Sequence, residues 1–166
     1  MIALRLVRLI EAHSDSIAKN LVTKFGSSPR TTGMRKITGS ELLGGMHELL
    51  FHLSEWLLMK TDADVEQRYR TVGASLRSKD IALADACWAI TMTKQYLWEF
   101  LQKQGFLRSP VELYGEMELL RLLDQFFDRA LCYTAEGYEE AQREPSPIRP
   151  EPHKKEQELT LPNFGR

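Results

Sequence analysis

Apolar residues recur at three- and four-residue intervals along almost the whole of this chain, and no stretch keeps a period-two alternation. That spacing predicts helices and no sheet. The first helix is expected over roughly Ile2 to Phe25, with Leu6, Ile10, His13, Ile17 and Leu21 on one stripe. Gly26-Ser27-Ser28-Pro29 ends it. After the basic connector "RTTGMRK", "TGSE" reads as a capping box, Thr38 accepting from the Glu41 amide and Glu41 reaching back. That second helix is expected to run to about Lys60. Asp62 and Asp64 suit the start of a third, to about Leu76, and a fourth runs from near Asp80 to Gln104, stopped by Gly105. In "SPVE", Ser109 is the expected N-cap, with Pro110 in the first turn and Glu112 at N3. The fifth helix continues to Arg143 and would be about 50 Å long.

The faces of these helices carry more information than their ends. On the last helix the apolar arc centres on Phe127, with Leu113 and Met117 extending it, and exceeds half the circumference. Asp128, Arg129 and Cys132 fall on the polar remainder. The fourth helix shows two stripes, one through Leu83, Cys87, Ile90, Leu97 and Leu101 and one through Ile81, Trp88, Met92 and Tyr96, which predicts a central position. Lys94 lies inside the first stripe and is expected to pack its aliphatic stem while its ammonium reaches water. On the second helix Leu42, Met46, Leu49, Leu53 and Trp56 form the core face. His47, Phe51, Ser54 and Leu58 align nearly opposite, and an apolar stripe there suggests a subunit interface, or burial under the N-terminal helix.

From residue 144 the pattern changes. "EPSPIRPEPHKKEQELTLPNFGR" holds five of the seven prolines and reads as an extended arm outside a helical domain of residues 1–143. It carries Leu159, Leu161 and Phe164 near its tip, three apolar groups suited to docking on a second subunit or a partner, the alternative being a disordered end.

Composition adds mainly exclusions. A formal charge of −1 gives no global argument for nucleic acid or an anionic membrane. Basic residues outnumber acidic ones over 1–60 and the reverse holds over 61–143, an asymmetry too small to name a partner. Cys87 and Cys132 form no CxxC pair. The apolar start is interrupted by Arg5 and Arg8, so no signal peptide and no membrane span is expected, and the chain is expected to be cytoplasmic.

The search for chemistry yields no metal, cofactor or catalytic site. His47 and His52 are five residues apart, about 140° around a helix, which is wrong for a shared metal. His13 sits on a predicted core stripe and His153 in the tail. The glycine pair of "LLGGMHE" lies inside a helix and is no phosphate cradle. No enzyme is expected.

One pattern does resemble a known family. "RYRTVGASLRSKDIALADACWAITMTKQYLWEFL" followed by "MELLRLLDQFFDRALCYTAEGYEEA" is similar to the N-terminal domain of RsbT co-antagonist proteins of the RsbRD type. An Arg-containing helix leads through a polar turn into one ending in an aromatic-rich segment, and a long last helix carries an "FFDRAL…Y" signature. The resemblance covers about residues 4 to 142. It implies an all-α, globin-like bundle of about five main helices without haem. It further implies a homodimeric sensor or adaptor in bacterial stress regulation, whose function is recognition of another signalling protein or of a small apolar ligand between helices. The sequence contains no STAS output part, so antagonism through STAS chemistry is not implied. The expected interface residues are His47, Phe51 and Leu58, with Leu159, Leu161 and Phe164 of the tail. The alternative from a different class is a haem or tetrapyrrole binder, against which stands the lack of histidine between residues 53 and 152.

Overall fold

The structure is a computed structural model that describes residues 2–104 and 110–143, with side chains omitted at 2, 3, 111 and 112. These residues form an all-α bundle. Its helices are α1 (Ile2–Ala12), α2 (Ser14–Ser27), α3 (Gly39–Phe51), α4 (Leu53–Leu58), α5 (Asp62–Ser78), α6 (Leu83–Lys103) and α7 (Pro110–Arg143). A 3-10 segment, Pro29–Lys36, joins α2 to α3. No helix among the described residues is long and apolar enough to cross a membrane. The tail from residue 144, with Leu159, Leu161 and Phe164, lies outside the described residues.

Two expected helices are each broken at a histidine. His13 (φ −109°, ψ 12°) separates α1 from α2, and His52 (φ −106°, ψ 26°) separates α3 from α4. The first break corrects the core stripe. Leaving helical geometry at His13 turns the imidazole outward, its Nδ1 2.9 Å from the Leu9 carbonyl, and Ser14 takes the buried place. The second break frees the amide of Ser54 in the first turn of α4. The Glu11 carboxylate, at the end of α1, accepts from it at 2.7 Å, a tertiary substitute for an N-cap.

The helix starts follow local chemistry. Ser28 caps the 3-10 segment by accepting from the Arg30 amide at 3.2 Å. Thr38 accepts from the Glu41 amide at 3.3 Å, but Glu41 does not reach back; its carboxylate pairs with Lys79. The reciprocal box forms at α5 instead, where Thr61 accepts from the Asp64 amide and Asp64 from the Thr61 amide. The Thr61 amide, and after it the Thr61 hydroxyl at 2.8 Å, donate to the Asp64 carboxylate and hold it below its ordinary value. Between α5 and α6 the chain turns through Asp80, at φ 52°. Lys36 bonds both its carbonyl and its carboxylate.

The centre of the bundle is the crossing of α5 with α7. The two run in parallel: Asp62 meets Arg129 and Tyr133, Arg70 meets Glu136 and Glu140, and Arg77 lies over the Tyr138 ring. Gly73 and Gly137 permit the approach. A methyl at Gly73 would stand 2.1 Å from the Thr134 carbonyl oxygen, and one at Gly137 2.2 Å from that of Arg70. Along α7, Leu119, Leu123, Phe126, Phe127, Ala130 and Thr134 are buried as the arc predicts. Leu113 and Met117, expected to extend it, are exposed at 47% and 57%, while Gly115 between them is buried, so the covered face of these first turns is not the predicted one. The helix α6 is not central. Its buried face (Ala86, Ala89, Met92, Thr93, Leu97, Leu101) falls between the two predicted stripes, and Trp88 lies at the surface under the Arg30 guanidinium, 3.9 Å from the ring centroid.

Candidate functional site

Two features of the described residues are candidate sites: a pocket walled by α3, α5 and α6, and the opposite, outward face of α3 and α4.

The pocket has a volume of about 350 Å³, within the range of small-molecule sites. Leu42, Gly45, Met46 and Leu49 of α3 form one wall and Tyr69, Val72 and Leu76 of α5 the facing one. Ala86, Ala89, Ile90 and Thr93 of α6 supply a third wall. Phe25, Met34, Ile37 and Phe127 add further apolar lining, and Glu41, Arg68, Thr71, Ser75 and Lys79 supply a polar edge. The space exists because α3 and α5 do not pack directly along this length. Two ion pairs bridge them instead, Glu41 with Lys79 and Glu48 with Arg68 at 2.5 Å. Glu41 and Glu48 are two turns apart, about 10 Å along α3. Between these pairs lies Gly45, where an added methyl would meet nothing within 4 Å.

The interior is chemically quiet. The Thr93 hydroxyl donates to the Ala89 carbonyl at 2.8 Å, closing on its own helix. No buried side-chain nitrogen or oxygen among the described residues lacks a hydrogen-bond partner. Burial pushes the Tyr69 phenol up to about 12, the neighbouring Arg68 charge working against that shift. The Arg68 guanidinium also lies 4.6 Å from the centroid of the Trp56 ring, which fixes it at the rim. None of the described histidines, His13, His47 and His52, lines this pocket.

On the outer face, His47 and Phe51 are brought together, ring centroids 5.5 Å apart and nearly parallel. Asp15 of α2 holds the imidazole through Nε2 at 3.2 Å. Phe51 is 52% exposed, and Leu58, 40% exposed, lies past the His52 break on α4. The N-terminal helices half-cover the stripe at His47 and Ser54, through Asp15 and Glu11, and leave Phe51 and Leu58 exposed. Ser54, also expected on it, donates its amide to Glu11.

The remaining candidates serve as ties between helices. Lys94 of α6, its side chain partly buried, pairs with Asp128 at 3.0 Å and Asp124 at 3.3 Å on α7. Burial alone would lower its pKa, but these carboxylates raise it. Arg129 pairs with Asp62 at 3.3 Å, and the Tyr133 hydroxyl donates to the same carboxylate at 2.8 Å. Cys132 is exposed; Cys87 is partly buried, which pushes its thiol up. No group of three or more His, Cys, Asp or Glu among the described residues is placed to hold a metal.

Sequence reasoning allowed an apolar ligand between helices but named no residue of this pocket as its site. Its one local signal was the Gly44-Gly45 pair inside a helix, a position where glycine costs about 1 kcal/mol against alanine and so asks for a reason. Neither a protein-family model, nor a curated protein, nor a solved structure matches this chain, so the functional reading rests on this geometry and on the sequence pattern.

Proposed function

We propose that the chain is a non-enzymatic signalling module, a sensor or adaptor of the kind the RsbRD N-terminal pattern implies, that forms a homodimer and acts on another signalling protein. The observation that carries this reading is the exposed face of Phe51 and Leu58, with His47 braced beneath Phe51 by Asp15. An aromatic ring held on a rigid helix and left half in water is a usual interface anchor. Leu159, Leu161 and Phe164 of the tail are the second set of groups assigned to association.

Sedimentation tests the reading. The wild type is expected at twice the chain mass at micromolar concentration, and Phe51→Glu is expected to be monomeric with an unchanged helical circular-dichroism spectrum. A monomeric wild type, or a Phe51→Glu protein that stays dimeric, overturns the assignment of this face.

A further inference from the structure

The pocket between α3, α5 and α6 has chemistry that selects its occupant. We propose that it is a binding site for an uncharged, hydrocarbon-like small molecule of roughly a dozen non-hydrogen atoms, entering between the ion pairs Glu41–Lys79 and Glu48–Arg68.

Size follows from the volume. An engineered apolar cavity of about 150 Å³ accommodates benzene, so about 350 Å³ holds on the order of twice that, two linked or fused rings. Charge follows from what the walls lack. Met46, Leu49, Val72, Ile90 and Phe127 offer no hydrogen bond to a charged group, the Thr93 and Thr71 hydroxyls donate to carbonyls of their own helices, and Ser75, whose neutral hydroxyl can meet a ligand, lies at the exposed edge. A charged ligand would be desolvated without compensation. The cations at the rim do not change this, because Lys79 and Arg68 each already face a carboxylate across the gap. An anion approaching either one would have to displace Glu41 or Glu48 and would meet its repulsion. A neutral molecule passes both pairs without that conflict.

The entrance is also marked in the sequence. Gly45 is the α3 residue between the two bridges, and a side chain there would project into open space. Glycine in mid-helix is unfavourable, and here it keeps the opening wide. Because α3 carries the pocket on one face and Phe51 on the other, occupancy would act on the helix assigned to association. Binding itself does not depend on that assignment.

The test uses the full-length chain and two probes of equal shape, neutral 4-hydroxybiphenyl and charged biphenyl-4-carboxylate, titrated by calorimetry at neutral pH. Saturable one-to-one binding of the neutral probe, at least tenfold tighter than the carboxylate, is expected. Gly45→Phe, which places a ring in the opening, should weaken binding of 4-hydroxybiphenyl at least tenfold while the circular-dichroism spectrum is retained. If that variant does not fold, Ala89→Leu fills the same space from α6 and should give the same loss. No binding to the wild type, equal binding of the two probes, or undiminished binding in a folded filled variant would each overturn the proposal. A dimer that survives with no ligand bound would sink this site while leaving the association reading intact, and a monomer that binds the probe would do the reverse.

Discussion

Replacing Gly137 by alanine should destabilise the bundle, although alanine is the better helix former. The methyl group would lie 2.2 Å from the Arg70 carbonyl oxygen, 2.6 Å from its Cα and 2.7 Å from its carbonyl carbon. All three are backbone atoms, so no rotamer change clears the space. Reaching an ordinary contact of 3.4 Å from 2.2 Å requires α5 and α7 to separate by about 1.2 Å. A gap of that order forfeits a quarter to a half of each dispersion contact across the crossing. Overpacking costs about 1–3 kcal/mol where side chains can adjust, and against backbone the upper figure applies. Helix propensity returns about 1 kcal/mol, which leaves a net loss of about 2 kcal/mol. With a urea slope of about 2 kcal/mol/M, the midpoint should fall by about 1 M. Gly73→Ala should behave alike, since its methyl meets the Thr134 carbonyl oxygen at 2.1 Å. The double variant should cost less than the sum, because helices already separated by one methyl admit the second. Gly45→Ala is the control: its methyl meets nothing within 4 Å, so only the propensity term remains and stability should rise by about 0.5–1 kcal/mol. A Gly137→Ala protein as stable as Gly45→Ala would refute the close crossing.

Two further outcomes follow from single residues. The Tyr69 phenol is raised from 10.0 to about 12 by burial, so it ionises first in the unfolded chain. Its contribution is whole below pH 10 and is lost as pH rises through about 12, on the order of 2–3 kcal/mol; Tyr69→Phe should flatten that part of the alkaline stability profile, and an unchanged profile would place the phenol in water. Asp80 holds φ 52° in the turn before α6. Asp80→Val should lower stability by about 1–2 kcal/mol while Asp80→Gly stays near wild type, and equal denaturation midpoints for the two would contradict the left-handed turn.

What the sequence made legible was whatever local chemistry decides. Thr38 and the acidic start at Asp62 mark helix origins by themselves, and the arc through Leu123, Phe127 and Ala130 is buried because one rigid helix preserves its own periodicity. Glycine shows where this stops. Gly45 and Gly137 look alike in the sequence, yet one faces an open pocket and the other a carbonyl oxygen. Only the partner helix decides which, and that partner is set by the packing of distant segments. The pocket is illegible for the same reason, since its walls come from six separate elements and no single one shows a cavity.

The histidine breaks carry this furthest. The apolar spacing continues through His13 and His52, so periodicity alone calls for two straight rods. The bends are stabilised by each other instead. α1 ends just after Glu11, and Glu11 accepts from the Ser54 amide that the bend at His52 sets free. A straight α3–α4 rod would return that amide to an intrahelical acceptor and leave Glu11 without it. Beside the bend Leu53 is fully buried while Phe51, two residues earlier, remains half in water, the sides on which helical periodicity already places them. The Glu11–Ser54 hydrogen bond sits at that bend and joins residues 43 positions apart. Neither local propensity nor a helical wheel can register a bond of that range.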